Sequence, residues 1–260
     1  MNMSKNILYS LGLALLTSMP ATAQQINDNN TPLHLMRPAN QQRYGIPTTE
    51  QVKQTMDRVL LYIDSETPAT LVDRQTGKEV TRMKDINQNT QLKQGGFRLT
   101  SYEWGVTYSG ALAAYNVTGD VAYRDYVLKR HRLLADMAPY FQKVYQQHKD
   151  IDVNVRRVID PHALDDAGAV ATSMMNAMLR DPSLPLRPRI DLYMDYILNK
   201  EYRLADGTFA RLRPQKNTVW LDDMFMGLPA VAYMGKFTGD TKYYDEAARQ
   251  VMLFADRMFV

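Results

Sequence analysis

The chain has 260 residues, of which 45% are hydrophobic and 23% are charged, and its formal net charge is +3. This length and apolar content suit a globular protein with a sizeable core. The small net charge, with Lys and Arg scattered along the chain, gives no indication of a nucleic-acid partner. The sequence has no cysteine, which excludes disulfides and a lipid anchor attached at a cysteine.

The first 23 residues have the pattern of a secretory signal peptide. Lys5 precedes an apolar run over residues 7–16, and Ala-Thr-Ala at residues 21–23 has the form of a cleavage site. The apolar run is too short for an ordinary transmembrane helix. We therefore expect cleavage after Ala23, a periplasmic or secreted location, and no membrane attachment of the mature protein.

The next segments predict an arm, a helix and a long loop. Residues 24–47 are polar and rich in Asn, Gln and Pro, which is typical of a linker or extended arm before a main domain at 48–260. Residues 48–51 predict a helix start, and apolar residues follow with a helical period. Residues 65–100 have weak periodicity and predict a long loop with short strands.

Three later segments share a pattern of helix, tight turn and helix. Thr-Gly-Asp occurs at residues 118–120 and again at 238–240, each time after an apolar helical run. Gly is suited to end the first helix and Asp to begin the second. A middle segment keeps the pattern loosely, with Arg-Asp-Pro at residues 180–182 as its turn. Helical hairpins that recur about every 60 residues predict an all-α fold, an α/α barrel with a central cleft.

The length bears on how much of such a barrel the sequence contains. Six hairpins of this size need roughly 350 residues, and this sequence accounts for about three and a half to four of them. We therefore expect a barrel that is incomplete at its C-terminal end. Apolar hairpin faces left open in this way favour instability or association of the chain alone.

The sequence Trp-Leu-Asp-Asp at residues 220–223 places two carboxylates in the first turn of a predicted helix. The helix dipole stabilises an acid there, so simple N-terminal capping is one interpretation. Adjacent residues point about 100° apart on a helix, so Asp223 is expected to point away from Asp222. The Trp must be buried or stack on a ligand. From this stretch alone, capping and a catalytic site both stay open.

Together these motifs resemble the unsaturated glucuronyl and rhamnogalacturonyl hydrolases, glycoside hydrolase families 88 and 105. The resemblance rests on residues 220–229 with 238–240, on Leu-Asp-Asp-Ala-Gly at 164–168 and on Tyr-Glu-Trp-Gly-Val at 102–106. It implies an (α/α)6 barrel, the six-hairpin toroid, incomplete in this chain. It also implies an oligosaccharide substrate, made by a polysaccharide lyase, whose terminal uronic acid carries a C4=C5 double bond. No metal and no organic cofactor are implied.

The resemblance also implies roles for the acidic residues. Protonating the enol ether at C4 requires an acid that keeps its proton near neutral pH, and a second carboxylate favours that state and orients the water. The Asp of the Trp-Leu-Asp motif is the proton donor in this family, which corresponds to Asp222. The second acid is Asp165 or Asp166, and the spacing to Gly168 favours Asp166. Helix capping remains the alternative for both pairs.

Six further residues are candidates for substrate binding. Arg211 and Arg213 lie just before the motif and suit the substrate carboxylate, although the pattern favours solvated strand residues. Tyr102, Trp104 and Trp220 suit sugar stacking or the core. His162 precedes the second acidic pair and is either a hydrogen-bond partner or polar surface.

Two other functions remain open from the sequence. One is an inverting glycosidase on the same barrel, which would use two carboxylates on a saturated sugar. The other is an inactive carbohydrate-binding remnant of the family. The sequence does not distinguish glucuronyl from galacturonyl substrates.

Overall fold

The computed structural model describes residues 30–32, 35–36 and 45–259. The predicted signal peptide and most of the predicted arm lie outside the described residues. Within the unit Met1–Thr49, the Leu35 amide donates to the Pro32 carbonyl oxygen at 2.9 Å. The unit Glu50–Val260 contains the candidate site.

Helices make up most of the described chain. The elements, in chain order, are α1 (Thr49–Glu66), β1 (Leu71–Asp73), a 3₁₀ turn (Met83–Asp85), β2 (Thr90–Leu92), α2 (Tyr102–Thr118), α3 (Val121–Gln147), α4 (Val153–Ile159), α5 (Leu164–Met178), α6 (Arg187–Asp195), a π turn (Tyr196–Lys200), α7 (Leu221–Thr238) and α8 (Lys242–Met258). The two strands pair antiparallel within the predicted long loop, with Leu71 opposite Leu92. Among the described helices, none has the length and apolarity needed to cross a membrane.

The two Thr-Gly-Asp turns have the same local structure, as the sequence predicts. Gly119 ends α2 with a φ of 70°, and Gly239 ends α7 with a φ of 76°. Only glycine adopts this left-handed backbone without a steric cost. Asp120 then accepts a hydrogen bond from the Ala122 amide at 3.0 Å, and Asp240 accepts one from the Lys242 amide at 3.1 Å. Local chemistry therefore folds both hairpins, α2–α3 and α7–α8, in the same way.

Helices α2, α5 and α7 are the first helices of the hairpins α2–α3, α5–α6 and α7–α8, and they pack side by side in parallel. The helices approach closely because a glycine of α2 faces the backbone of α5 and a glycine of α5 faces the backbone of α7. A Cβ built on Gly105 would lie 2.4 Å from the Ala169 carbonyl carbon, and one on Gly168 would lie 2.2 Å from the Met226 carbonyl oxygen. Both contacts lie near the N-terminal ends of the helices involved. The three N-termini therefore lie at one edge of the layer, which is where the acidic motifs begin.

Replacing Gly168 with Ala is expected to destabilise the protein by about 2–3 kcal/mol, because the new methyl group would overlap the α7 backbone and force the helices apart. Gly110→Ala is the matched control. A Cβ at Gly110, also inside a helix, meets nothing within 4 Å, so this change should be neutral or stabilise by up to about 1 kcal/mol. Urea unfolding of both variants measures the difference. Equal stability for the two would contradict the close helix contact.

The core beneath α2 and α5 contains a histidine that burial keeps neutral. His131 is fully buried on α3, its ring packs edge-on against Tyr108 at 4.9 Å, and its Nε2 lies 3.1 Å from Ser173 Oγ. Ser173 already donates its hydroxyl proton to the Val170 carbonyl oxygen, so Nε2 is the atom that donates to Ser173. Nδ1 is buried without a partner. Burial lowers the pKa of His131 from 6.5 to about 3.

Acidification is therefore expected to destabilise the protein through His131. The unfolded chain binds a proton on this residue below pH 6.5, whereas the folded chain does so only near its lowered pKa. The part of the unfolding free energy that depends on His131 is fully present above pH 6.5. It is lost as the pH falls, by about 2 kcal/mol between pH 7 and pH 5. Urea unfolding at both pH values should show that His131→Phe lacks this share of the pH dependence. An unchanged dependence in the variant would exclude this role.

Candidate active site

Acidic residues from two neighbouring hairpins converge at the edge formed by the N-termini of α5 and α7. Carboxylate oxygens of Asp165, Asp222 and Asp223 all lie within 4.8 Å of one another. The sequence pattern predicts this convergence, because equivalent positions of adjacent repeats lie at the same end of a barrel. The contact between these two motifs is confirmed.

A single arginine lies among these three carboxylates. Arg211 follows the turn at Gly207, where φ is 90°, in an extended segment before α7. Its amide donates to the Thr218 carbonyl oxygen at 2.8 Å, and its own carbonyl accepts from the Asn217 amide at 3.0 Å. These two bonds close a loop that fixes the arginine backbone over the N-terminus of α7.

The Arg211 guanidinium contacts all three carboxylates. Its Nε lies 2.6 Å from Asp223 Oδ2, and its Nη2 lies 2.8 Å from Asp223 Oδ1, a bidentate arrangement. The same Nη2 lies 2.9 Å from Asp165 Oδ2 and 3.1 Å from Asp222 Oδ2. We call these four residues the Arg211 cluster. Asp222 and Asp223 leave the helix in different directions, yet both carboxylates reach Nη2 of the same arginine.

The two aspartates of α7 differ in exposure. Asp223 is 2% exposed, while the side chain of Asp222 is 44% exposed. Burial raises the pKa of Asp223, and the bonds from Arg211 oppose that rise. The hydrogen bonds to Asp223 hold the pKa of Arg211 above its usual range. Asp223 therefore anchors the arginine, and Asp222 is the more exposed carboxylate of α7.

The adjacent acids of α5 have different surroundings. Asp165 belongs to the Arg211 cluster. Asp166 accepts a hydrogen bond from the Tyr102 amide at 2.8 Å and lies 3.5 Å from Arg157 Nε. Burial raises the pKa of Asp166, and the charge of Arg157 opposes that rise. The structure thus brings Asp165 to Asp222, whereas Asp166 joins α5 to the start of α2.

A cavity of about 420 Å³ opens beside the cluster. Its walls contain the predicted residues Asp165, His162, Arg211 and Arg213, together with Asp223. They also contain polar residues that the sequence did not indicate: Tyr196, Lys200, Glu201 and Tyr202. These four come from the π turn and the residues after it. A π turn has no sequence signature comparable to Thr-Gly-Asp, so only the folded chain reveals this wall.

The predicted aromatic residues have unequal positions. Trp104 is 8% exposed, its ring stacks on Phe97 at 4.8 Å, and its Nε1 donates to the Tyr126 hydroxyl at 3.0 Å. This position matches the core alternative. Trp220 is 40% exposed, and its ring lies 4.2 Å from the Arg211 guanidinium. Tyr102 is exposed at the start of α2.

The two remaining predicted residues lie on the cavity rim. Arg213 is exposed, and in the part of the chain that the structure describes it makes no ion pair. His162 is also exposed, with Nδ1 3.2 Å from the Asp160 carbonyl oxygen. Arg211 already forms ion pairs with the three aspartates. Arg213 forms no ion pair among the described residues, so it is the cation of the two that has its charge available for an anionic ligand.

The spacing of the three aspartates would also suit a metal ion. Their oxygens meet the distance requirement for a shared cation. The guanidinium of Arg211, however, bonds to all three carboxylates. Arg211 therefore supplies the positive charge that balances these carboxylates, as a metal ion would.

Comparison with known proteins identifies a matching family model and similar solved structures. The family model described as Glycosyl Hydrolase Family 88 matches residues 63–260. A possible member of the GH105 family from Klebsiella pneumoniae has a similar structure, with a TM-score of 0.54 and 14% identity. A possible GH105 member from Salmonella enterica serovar Paratyphi A is also similar, with a TM-score of 0.52 and 15% identity.

In both cases the similarity covers 85% of this chain and 51% of the other, so this chain spans about half the length of those proteins. The low identities show the fold alone, and the fold is the all-α arrangement of helical hairpins. No curated protein has a significantly similar sequence. The family model covers most of the chain and includes every member of the Arg211 cluster, and the chain therefore belongs to Glycosyl Hydrolase Family 88.

Proposed function

We propose that this protein is a glycoside hydrolase that removes a terminal 4,5-unsaturated uronic acid, glucuronyl or galacturonyl, from lyase-derived oligosaccharides such as rhamnogalacturonan fragments. The observation that supports this most is the Arg211 cluster, in which acids of two adjacent repeats meet beside a cavity of about 420 Å³. Family membership supports the class of reaction. The carboxylates, tyrosines and cations of the cavity suit the hydroxyl groups and single negative charge of such a sugar.

In the proposed reaction Asp222 donates a proton to C4, and the π electrons of the C4=C5 bond form the new C–H bond. The positive charge that develops at C5 is shared with the ring oxygen. Water adds at C5 and loses a proton to a carboxylate of the cluster, a role that we assign to Asp165, the acid that α5 contributes. The resulting hemiketal opens, and the next sugar is released.

Arg211 supports this chemistry by placing the acids. It bonds Asp165 and Asp222 through one nitrogen, Nη2, so the proposed donor and the second acid are held together. A proton lost from Asp222 leaves a carboxylate that this cation stabilises. Arg213, which is not used in an ion pair among the described residues, is free to bind the C6 carboxylate of the substrate.

The test is to incubate the protein with unsaturated glucuronyl and galacturonyl disaccharides and with their saturated counterparts. Ultraviolet absorbance of the double bond should fall only with the unsaturated sugars. In D₂O the product should carry deuterium at C4, because the new C–H bond forms there. Release of sugar from saturated substrates alone would support an inverting glycosidase. Binding without turnover of either kind would support the carbohydrate-binding alternative.

A further inference from the structure

Trp220 is joined to the Arg211 cluster through its side chain and through its backbone. The guanidinium of Arg211 lies over its indole ring, with Cζ 4.2 Å from the ring centroid. Its carbonyl oxygen accepts hydrogen bonds from the amides of Asp223 at 3.2 Å and Met224 at 3.4 Å, in the first turn of α7. The residue that starts the helix of two cluster acids therefore also contacts the cation that binds them.

The indole ring is held by the same short segment that holds Arg211. Its Nε1 donates to Thr218 Oγ1 at 3.2 Å, and that hydroxyl donates its own proton to the Gln215 carbonyl oxygen at 2.8 Å. The Thr218 carbonyl oxygen accepts the bond from the Arg211 amide at 2.8 Å. Thr218 thus fixes the backbone of Arg211 and the ring of Trp220 relative to each other.

The hydrogen bonds of Arg211 hold its three carboxylates unequally. Asp223 receives two bonds, from Nε at 2.6 Å and from Nη2 at 2.8 Å. Asp165 at 2.9 Å and Asp222 at 3.1 Å are bound by Nη2 alone. An Nη group has two N–H bonds, so three carboxylates share two donors at this nitrogen. A guanidinium that tilts at the buried Asp223 can keep that pair and lose the contacts with the other two acids.

Trp220 opposes such a tilt. The N–H bonds of a guanidinium lie in its plane, whereas an aromatic ring attracts the cation from the side of its face, and tryptophan does so most strongly. The ring and the carboxylates therefore restrain Arg211 in different directions. Trp220 is 40% exposed, so packing in the core accounts for only part of its role.

We propose that Trp220 is a positioning residue of this site: its ring holds the guanidinium of Arg211 in the orientation in which Nη2 binds Asp165 and Asp222 together. This inference rests on the proposed function, in which these two acids transfer the reacting protons. Trp220 then acts on the rate of the reaction through Arg211. A tryptophan that only stacked on the sugar would act on substrate binding instead.

The first test compares kcat and KM on an unsaturated uronyl disaccharide. Trp220→Leu keeps an apolar side chain but removes the aromatic face. Its kcat should fall about 10–100-fold, because misplacing reacting groups by about 1 Å has an effect of this size, while KM should change less than about threefold. Trp220→Phe restores an aromatic face, so its kcat should return to within about fivefold of the wild type. An unchanged kcat with a raised KM in Trp220→Leu would overturn the inference.

Tyr140→Leu is the matched control. Tyr140 is 37% exposed on α3, and Lys143 lies over its ring at 6.0 Å. The change removes an exposed aromatic face beside a cation that is not part of the Arg211 cluster, so kcat and KM should stay within about twofold of the wild type. A fall in kcat as large as that of Trp220→Leu would indicate a general effect on the fold and would overturn the inference.

A second measurement does not require turnover. In crystal structures of the wild type and Trp220→Leu, the two bonds from Arg211 to Asp223 should be the same. The distances from Nη2 to Asp165 Oδ2 and Asp222 Oδ2 should lengthen beyond about 3.5 Å in the variant, so that both hydrogen bonds are lost. Unchanged distances would refute the positioning role. If the wild type fails on every unsaturated uronide while the two distances lengthen, the proposed reaction is wrong and the restraint of Arg211 by Trp220 stands.

Discussion

Replacing Asp222 with Asn is expected to lower turnover of an unsaturated uronyl disaccharide about 10²–10⁴-fold, equivalent to roughly 3–5.5 kcal/mol of transition-state stabilisation. The amide keeps the shape of the side chain but has no acidic proton to give to C4. Substrate binding should change far less, because the surface that contacts the sugar stays the same. The measurement is the loss of ultraviolet absorbance under saturating and limiting substrate.

Two controls separate proton donation from other effects. Asp245→Asn removes a carboxylate from an exposed position on α8 and should leave turnover unchanged. Asp223→Asn weakens the anchor of Arg211, so it should lower thermal stability more than Asp222→Asn does, while reducing turnover less. Wild-type turnover in Asp222→Asn on every unsaturated substrate would refute the assignment. If Asp223→Asn is the inactive variant, the motif is right and the donor is the adjacent residue.

The parts of the fold that the sequence predicts are those determined by local chemistry. The Thr-Gly-Asp turns require a left-handed glycine and an acid at the next helix start, and Gly119 and Asp120 meet both conditions. Because the unit repeats, the sequence also predicts that the acids of two hairpins converge at one edge. That argument alone predicts that residues far apart in the chain, such as Asp165 and Asp222, lie close together in the fold.

The parts that could not be predicted depend on rotations and contacts between elements. Adjacent residues of a helix differ by about 100° in direction, so the orientation of α5 about its own axis decides whether Asp165 or Asp166 faces Arg211. Burial of Trp104 depends on Phe97, which comes from the long loop. Glu201 enters the cavity through the π turn. Each outcome follows from packing that no local sequence pattern encodes.

Arg211→Met is expected to destabilise the protein by about 3–5 kcal/mol, because it leaves the buried carboxylate of Asp223 without its cation. The side chain of Asp223 is 3% exposed, so water cannot replace the lost bonds. Protonation relieves the cost, so the pKa of Asp223 should rise further in the variant. The loss of stability should consequently be larger at pH 7 than at pH 4. Urea unfolding of wild type and variant at both pH values provides the measurement.

The double variant Arg211→Met with Asp223→Asn shows whether the pair itself is responsible. It removes both charges, so it should recover about 2 kcal/mol or more of the stability lost in Arg211→Met. Arg213→Met is the matched control, since Arg213 is exposed two residues away and has no ion pair among the described residues; its effect should stay within about 0.5 kcal/mol. A double variant no more stable than Arg211→Met would mean that the arginine stabilises the fold through its other contacts, with Asp165, Asp222 and Trp220, rather than by neutralising Asp223. Recovery of stability in the double variant, with turnover lower than in Asp223→Asn alone, would show that Arg211 also keeps Asp165 and Asp222 together for the reaction.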